Sequence, residues 1–207
     1  SYKESFTQFI YQLQNDICSA LEISDGRALF KEDKWERQGG GGGRTRVITQ
    51  GDVFEKGGVN ISEVYGELPE SMMSYLQTPH RNFFACGISL VIHPINPFVP
   101  TVHANYRYFE LYDSEQNVVD QWFAGGSDLT PYYLFEEDAI HFHQTQKSVC
   151  DHFDTSLYPK YKKACDEYFF NHHRDEARGI GGIFFDYMRP QEGKTSDDWF
   201  NFTTSVG

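Results

Sequence analysis

The sequence predicts an α+β domain built around a mainly antiparallel sheet. Three observations predict it. Segments of alternating polar and apolar residues follow one another through the first two thirds of the chain. Short polar or proline-rich connections join them, as hairpins require. Three- and four-residue apolar spacing marks the amino end and most of the last third.

Phe6, Phe9, Ile10, Leu13, Ile17 and Leu21 set up an amphipathic helix at the start. Lys31 to Arg46 follows, with five consecutive glycines at Gly39 to Gly43. Strand-like pieces are expected over Arg46 to Gln50 and Val59 to Tyr65. Two alternating segments around Ser89–His93 and Thr101–Arg107 flank a connection holding three prolines, Pro94, Pro97 and Pro100. Tyr106 to Tyr112 and Val118 to Phe123 read as a hairpin around a polar loop at Asp113–Asn117. Leu134 to Phe153 and Tyr158 to Arg174 carry helical spacing. A short strand is expected over Ile180 to Asp186. Thr195 or Ser196 then caps a last helix bearing Trp199, Phe202 and Val206, with Asp197 and Asp198 suited to its first turn. No internal repeat is present.

Composition narrows the function. With 18 basic and 30 acidic residues the net charge is -12, and no basic stripe offers itself to nucleic acid. No apolar run approaches the roughly 20 residues of a membrane helix. Ser1 to Ser24 is polar and amphipathic, unlike a secretory signal. Cys18, Cys86, Cys150 and Cys165 are scattered, which suits reduced, buried thiols of a cytoplasmic protein rather than a disulfide framework or zinc ribbon. The 18 Phe, 13 Tyr and 3 Trp suit a thick core, and also a pocket for a large flat ligand.

The most informative stretch runs from Ser89 to Arg107. Strand periodicity puts His103, Asn105 and Arg107 on one face, and Val102, Ala104 and Tyr106 on the other. The preceding segment divides likewise, with Ser89, Val91 and His93 against Ile88, Leu90 and Ile92. A solvated outer face would account for either histidine alone. The set of Ser, His, Asn and Arg beside a stiffened loop instead points to a polar, anionic ligand.

Other runs carry two readings each. The glycine run with Arg44 and Arg46 is either a surface loop or an anion-binding nest, and it lacks the ending of a P-loop. Asp128, after Gly125 and Gly126, is either an Asx-turn residue or a carboxylate that accepts N–H bonds from a nitrogen heterocycle. His143 sits on an apolar helical face, where a satisfied core histidine is the commoner case. His172, His173 and Arg174 suit the negative end of a helix dipole. His93, His103, His143 and His173 show no local metal-ligand spacing, so the sequence permits a metal site assembled by folding and does not require one. There is no nucleophile elbow, and no cysteine context suggests covalent catalysis.

Taken together these runs resemble the oxygen-dependent coproporphyrinogen III oxidases of haem biosynthesis. The matching pieces are Gly39 to Val47, Val53-Phe-Glu-Lys-Gly-Gly-Val59, Gly87 to Arg107 and Trp122 to Pro131. They continue with Glu136-Glu-Asp-Ala-Ile-His-Phe-His143, Tyr158-Pro-Lys-Tyr-Lys-Lys163, and His173-Arg174 through Gly179-Ile-Gly-Gly-Ile-Phe-Phe-Asp186. They occur in family order along nearly the whole chain.

The resemblance implies a large antiparallel sheet flanked by helices on both faces, in a homodimer. It implies conversion of two propionates of coproporphyrinogen III to vinyl groups, giving protoporphyrinogen IX, with O2 as co-substrate and no organic cofactor. His103 corresponds to the proposed proton donor. Ser89, Asn105, Tyr106 and Arg107 correspond to substrate contacts, and Arg107, with Arg174 or Arg178, would hold propionates. Asp128 corresponds to an acid at the pyrrole nitrogens. His93, His103, His143 and His173 correspond to positions assigned to a divalent metal in bacterial members, other members needing none. The family's pattern continues past Gly207 with a Gly-Arg-Tyr-Val-Glu-Phe-Asn-like strand and an Asp-Arg pair. Residues 1–207 are therefore read as a single catalytic domain lacking the family's C-terminal segment. Two other functional readings stay open at this point: a porphyrin- or haem-binding protein without oxidase activity, and a metal-dependent oxygenase.

Overall fold

The computed structural model describes residues 1–207. In chain order the elements are α1 (Tyr2–Asp25), β1 (Lys31–Glu36), β2 (Gly41–Thr49), β3 (Phe54–Glu67), α2 (Glu70–Leu76), β4 (Asn82–Pro94) and β5 (Thr101–Tyr112). They continue with β6 (Val118–Thr130), α3 (Glu136–Phe153), α4 (Leu157–Tyr168), β7 (Gly181–Met188) and α5 (Ser196–Val206). The seven strands form one sheet in sequence order, each pair antiparallel. This is the α+β class the patterning predicts.

Alternation decides the two faces. Ile88, Leu90 and Ile92 of β4, Ala104, Tyr106 and Tyr108 of β5, and Phe123 of β6 are buried on one of them. The apolar stripe of α1 covers that face: Phe6 lies 5.9 Å from Tyr108 and 5.7 Å from Phe123, ring to ring. Helix α5 adds Trp199 and Phe202, and Phe202 packs on Phe185 of β7 and Tyr161 of α4. Burying side chains of this size contributes roughly 1.5–3 kcal/mol each. The opposite face is polar at its centre. Helical cover reaches it at the β7 margin, where α4 starts on the core side with Tyr161 and ends with Tyr168 stacked on Phe184 at 4.2 Å.

Both expected caps of the last helix resolve to Thr195, whose hydroxyl accepts from Asp198 N while the Asp198 side chain accepts from Thr195 N. The loop at Asp113–Asn117 closes on the Asp113 carboxylate, which accepts from Glu115 N and Asn117 N. The β4–β5 connection turns on Asn96, whose side chain accepts from Phe98 N.

Four local expectations are corrected. The glycine run is neither a loose loop nor an anion nest. Gly39 and Gly40 make the β1–β2 turn, and Gly41–Gly43 begin β2. At Gly40 and Gly41 φ is +109° and +84°, so glycine is needed there for the turn itself. Nor are the nearby arginines free for a ligand: Arg44 donates to Gln14 and Asn15 of α1, and Arg46 to Glu32. Asp128 is inside β6 rather than in a turn. Finally, α4 stops at Tyr168, so His172, His173 and Arg174 lie in exposed turns beyond it and do not close a helix.

Candidate active site

The polar face assembles its side chains by strand register. His103 of β5 stands directly opposite Asp128 of β6, Asn105 opposite Ser89 of β4 and Gly126 of β6, and Arg107 opposite Gly87 and Ala124. His103, Asn105 and Arg107 therefore project in a row from one strand, as their spacing predicts.

At one end of the row lies a charged cluster. Asp128 is 1 % exposed, and its Oδ1 accepts from His103 Nδ1 at 2.7 Å. Arg178, from the segment joining α4 to β7, donates Nε to Oδ2 at 3.0 Å and Nη2 to Oδ1 at 2.7 Å. The guanidinium lies 3.5 Å above the Phe169 ring, and the edge of the same ring meets His103 at 5.8 Å between centroids. A buried carboxylate is tolerable only when paired and hydrogen-bonded, and both oxygens here meet that condition. The carboxylate accepts, so His103 carries its proton on Nδ1 and Nε2 is the nitrogen left for chemistry.

At the other end, Arg107 gives a single Nη2 contact to Asp186 of β7, at 2.9 Å. Its remaining N–H groups have no protein partner among the hydrogen bonds of the chain. Between the two ends, Asn105 Oδ1 is buried without a hydrogen-bond partner. An orphan acceptor in that position costs about 1–3 kcal/mol unless a ligand donates to it.

Three hollows open along the row and share its residues. One of about 320 Å³ is lined by His93, Thr101, His103, Tyr132 and Arg178. A second, of about 180 Å³, lies against His103, Asn105, Arg107, Tyr168 and Phe184. The third, of about 250 Å³, takes in Asn105, Arg107, Ser89, Asn60 and Trp35. Together they form a trough across the sheet, polar on its floor and aromatic at its sides. Ser89 and His93 thus lie on the same trough as His103, Asn105 and Arg107.

Other predicted site residues lie elsewhere. Tyr106 is on the core face, buried, and its hydroxyl donates to Val206 O at 2.8 Å. Burial pushes its phenol up to about 12. It is a packing residue, because adjacent strand positions face opposite ways. Arg174 is exposed and pairs with Glu176 at 2.8 Å, away from every hollow described above. Arg178 holds the place at the site that the sequence reading divides between the two arginines.

The four histidines implied for a metal do not form a ligand set. His143 donates Nε2–H to Ile180 O at 3.0 Å and accepts the Tyr158 hydroxyl on Nδ1 at 2.9 Å, so both nitrogens are occupied. Burial holds its pKa below the usual imidazole value. His173 is exposed in the turns beyond α4, and of the four only His93 and His103 line a common hollow. Nowhere do three His, Cys, Asp or Glu side chains group to hold a metal ion.

Phe169 and Asp186 belong to the site without having been singled out from the sequence. The alternation of Ile183-Phe-Phe-Asp186 would have put Asp186 on the polar face. Nothing in the sequence ties Phe169 to Arg178, because the contact depends on where α4 ends.

No helix is long and apolar enough to cross a membrane. A family model described as coproporphyrinogen III oxidase matches residues 5–207. With nearly the whole chain matched, the protein belongs to the coproporphyrinogen III oxidase family.

Proposed function

We propose that this chain is the single catalytic domain of an oxygen-dependent coproporphyrinogen III oxidase, turning two propionates into vinyl groups to give protoporphyrinogen IX. Each turnover breaks the bond to one carboxylate. The propionate loses CO2 and, from its β-carbon, two electrons and one proton. O2 accepts the electrons and leaves as hydrogen peroxide, taking up that proton and one from solvent. The electron-rich pyrrole ring passes those electrons from the side chain to O2, so the protein has to orient the ring, hold carboxylates and manage protons.

The observation that carries this reading is the row itself. A guanidinium with unused donors and an imidazole oriented by a buried carboxylate stand four residues apart on one strand, facing one trough. Arg107 binds a propionate, a charge-assisted contact of about 1.5–3 kcal/mol. Arg178 spends its Nε–Nη2 edge on Asp128, so Arg107 is the arginine whose bidentate edge is freer for a carboxylate. His103 handles the proton through Nε2. Asn105 Oδ1 accepts a pyrrole N–H, the part first expected of Asp128, whose oxygens are engaged. Ser89 and His93 line the trough beside them.

The net charge of -12 opposes a tetra-anionic substrate only weakly. The Debye length is about 8 Å at physiological salt, so local arginines decide binding. The four buried, unpaired thiols favour a reducing compartment such as the cytoplasm, and the family resemblance favours a homodimer. No metal step enters this scheme.

Anaerobic addition of coproporphyrinogen III followed by air, with CO2 and vinyl products monitored, tests the reading. Oxygen-triggered release of both is expected from the parent protein, with His103→Ala slower by at least about a hundredfold if proton transfer is lost. CO2 release that proceeds without air, or is unaffected in His103→Ala, would overturn it.

A further inference from the structure

Strand β7 breaks its pairing beside Arg107. Phe123 of β6 pairs with Met188 and Gly125 with Phe185, so two steps along β6 match three along β7. The extra residue makes a β-bulge at Asp186–Tyr187. Such bulges bend a strand and re-aim a side chain, and they concentrate next to functional sites. This one carries strain: Tyr187 has φ +54°, the left-handed region that an aromatic residue rarely adopts.

The bulge is held from both sides. Asp186 Oδ1 accepts the Tyr187 N–H at 2.8 Å, capping the strained residue. The Tyr187 ring lies 5.3 Å from Trp122. Arg189, fixed to Asp120 by two 2.8 Å bonds, lies 5.0 Å above the Tyr187 ring and 4.4 Å above Trp122. What the arrangement delivers is Asp186 Oδ2, 2.9 Å from Arg107 Nη2. Because its other oxygen is anchored, the Asp186 carboxylate cannot swing with the arginine.

We propose that Asp186 is the positioning residue for Arg107, fixing its guanidinium so that a ligand carboxylate docks in one orientation in the trough. This rests on the reading of Arg107 as a carboxylate receptor. It gives the strained bulge a function, and it separates orientation from affinity. Pre-ordering a long side chain favours binding, and repulsion of a second carboxylate on the same arginine opposes it to a similar extent. The two nearly cancel, so Asp186 should govern where the ligand sits more than how tightly it is held.

Asp186→Asn isolates the contact. The amide oxygen still accepts from Tyr187 N, so the bulge persists, while the amide nitrogen cannot accept from Arg107. The probe is coproporphyrin III, the stable oxidised tetracarboxylate, followed by fluorescence for affinity and by its induced Soret circular dichroism for orientation. Asp186→Asn should bind it within about threefold of the parent, since the opposing terms cancel. It should lose most of the induced signal, and turnover should fall by about tenfold or more, as misplacement of reacting groups does. In an Arg107→Ala background the substitution should add nothing further. An unchanged induced signal with unchanged turnover overturns the proposal. So does tighter binding with full turnover, which would make Asp186 a competitor for Arg107. If Arg107→Ala itself leaves coproporphyrin III binding intact, the carboxylate-receptor reading fails first. If only Asp186→Asn is silent, that reading stands and the positioning role falls.

Discussion

Arg178 grips Asp128 with two nitrogens, at 3.0 and 2.7 Å, and the carboxylate it holds is the one that accepts His103 Nδ1–H. The orientation of the imidazole on the trough therefore depends on an arginine 75 residues further along the chain. Asp128 is closed to direct contact with a ligand by the same bonds, which makes it an orienting group for His103.

Asp128→Asn tests that relationship. With its oxygen at the Oδ1 position an amide still accepts from His103 and from Arg178 Nη2. Its NH2 at the Oδ2 position opposes Arg178 Nε–H, and the negative charge that supports the imidazole is lost. Loss of one charged hydrogen bond costs about 1.5–3 kcal/mol, and the melting temperature should fall accordingly. The fold should survive, because the core lies on the other face. Turnover should drop by at least about a hundredfold if His103 transfers a proton. Steady-state kinetics beside thermal melts would show it, and undiminished turnover would refute the orienting role.

Arg107→Ala makes the opposite separation. Its pair with Asp186 is partly exposed, and such pairs contribute about 0–1 kcal/mol to stability, so melting should hardly change. Binding of coproporphyrin III should weaken by at least about tenfold, the equivalent of one charged hydrogen bond. Fluorescence titration decides it, and a dissociation constant within twofold of the parent would remove Arg107 from the receptor.

Much of the sheet was legible because strand alternation is strict. The row His103, Asn105, Arg107 and its opposite, Ala104, Tyr106, Tyr108, follow from period two alone. What sequence spacing does not carry is where an element ends. The helical pattern from Tyr158 runs on through Phe169 and Phe170, yet α4 stops at Tyr168, where its last turn meets Phe184. That ending places Phe169 under Arg178 and leaves Arg174 outside the site. Similarly, Gly125-Gly126-Ser-Asp128 has the composition of a turn, and pairing to β5 and β7 on both sides makes it a central strand. The resemblance supplied Tyr106 as a contact, whereas its own alternation pattern had already placed it on the core side.

The glycines in that strand serve packing, and Gly126→Ala tests it. A Cβ at Gly126 would stand 2.2 Å from Ile183 O, on the backbone of β7. Backbone cannot yield as a flexible side chain does. Overpacking of this kind costs about 1–3 kcal/mol, and here it would pry β7, with Asp186, from β6. Denaturant melts should show that loss, and coproporphyrin III binding should weaken with it. A variant as stable as the parent would mean that the strands are less closely joined than this spacing implies.

Acid stability should depend on Asp25, at the end of α1. Its carboxylate accepts four backbone N–H groups, from Ala28, Asp52, Val53 and Phe54, at 2.8–3.1 Å. Those bonds, led by the one from Ala28, hold its pKa well below the ordinary value of 3.8 despite the opposing effect of burial. A carboxylate whose folded pKa is depressed stabilises the fold fully above its unfolded value. Its contribution is lost as pH falls below 3.8 toward the folded value. The melting temperature of the parent should therefore decline steeply below about pH 4. Asp25→Asn cannot take up a proton as the carboxylate does, nor accept on both sides, so it should melt lower at neutral pH and decline less steeply in acid. Parallel acid profiles for the two proteins would show that the loop from Asp52 to Phe54 is held to α1 by something other than this carboxylate.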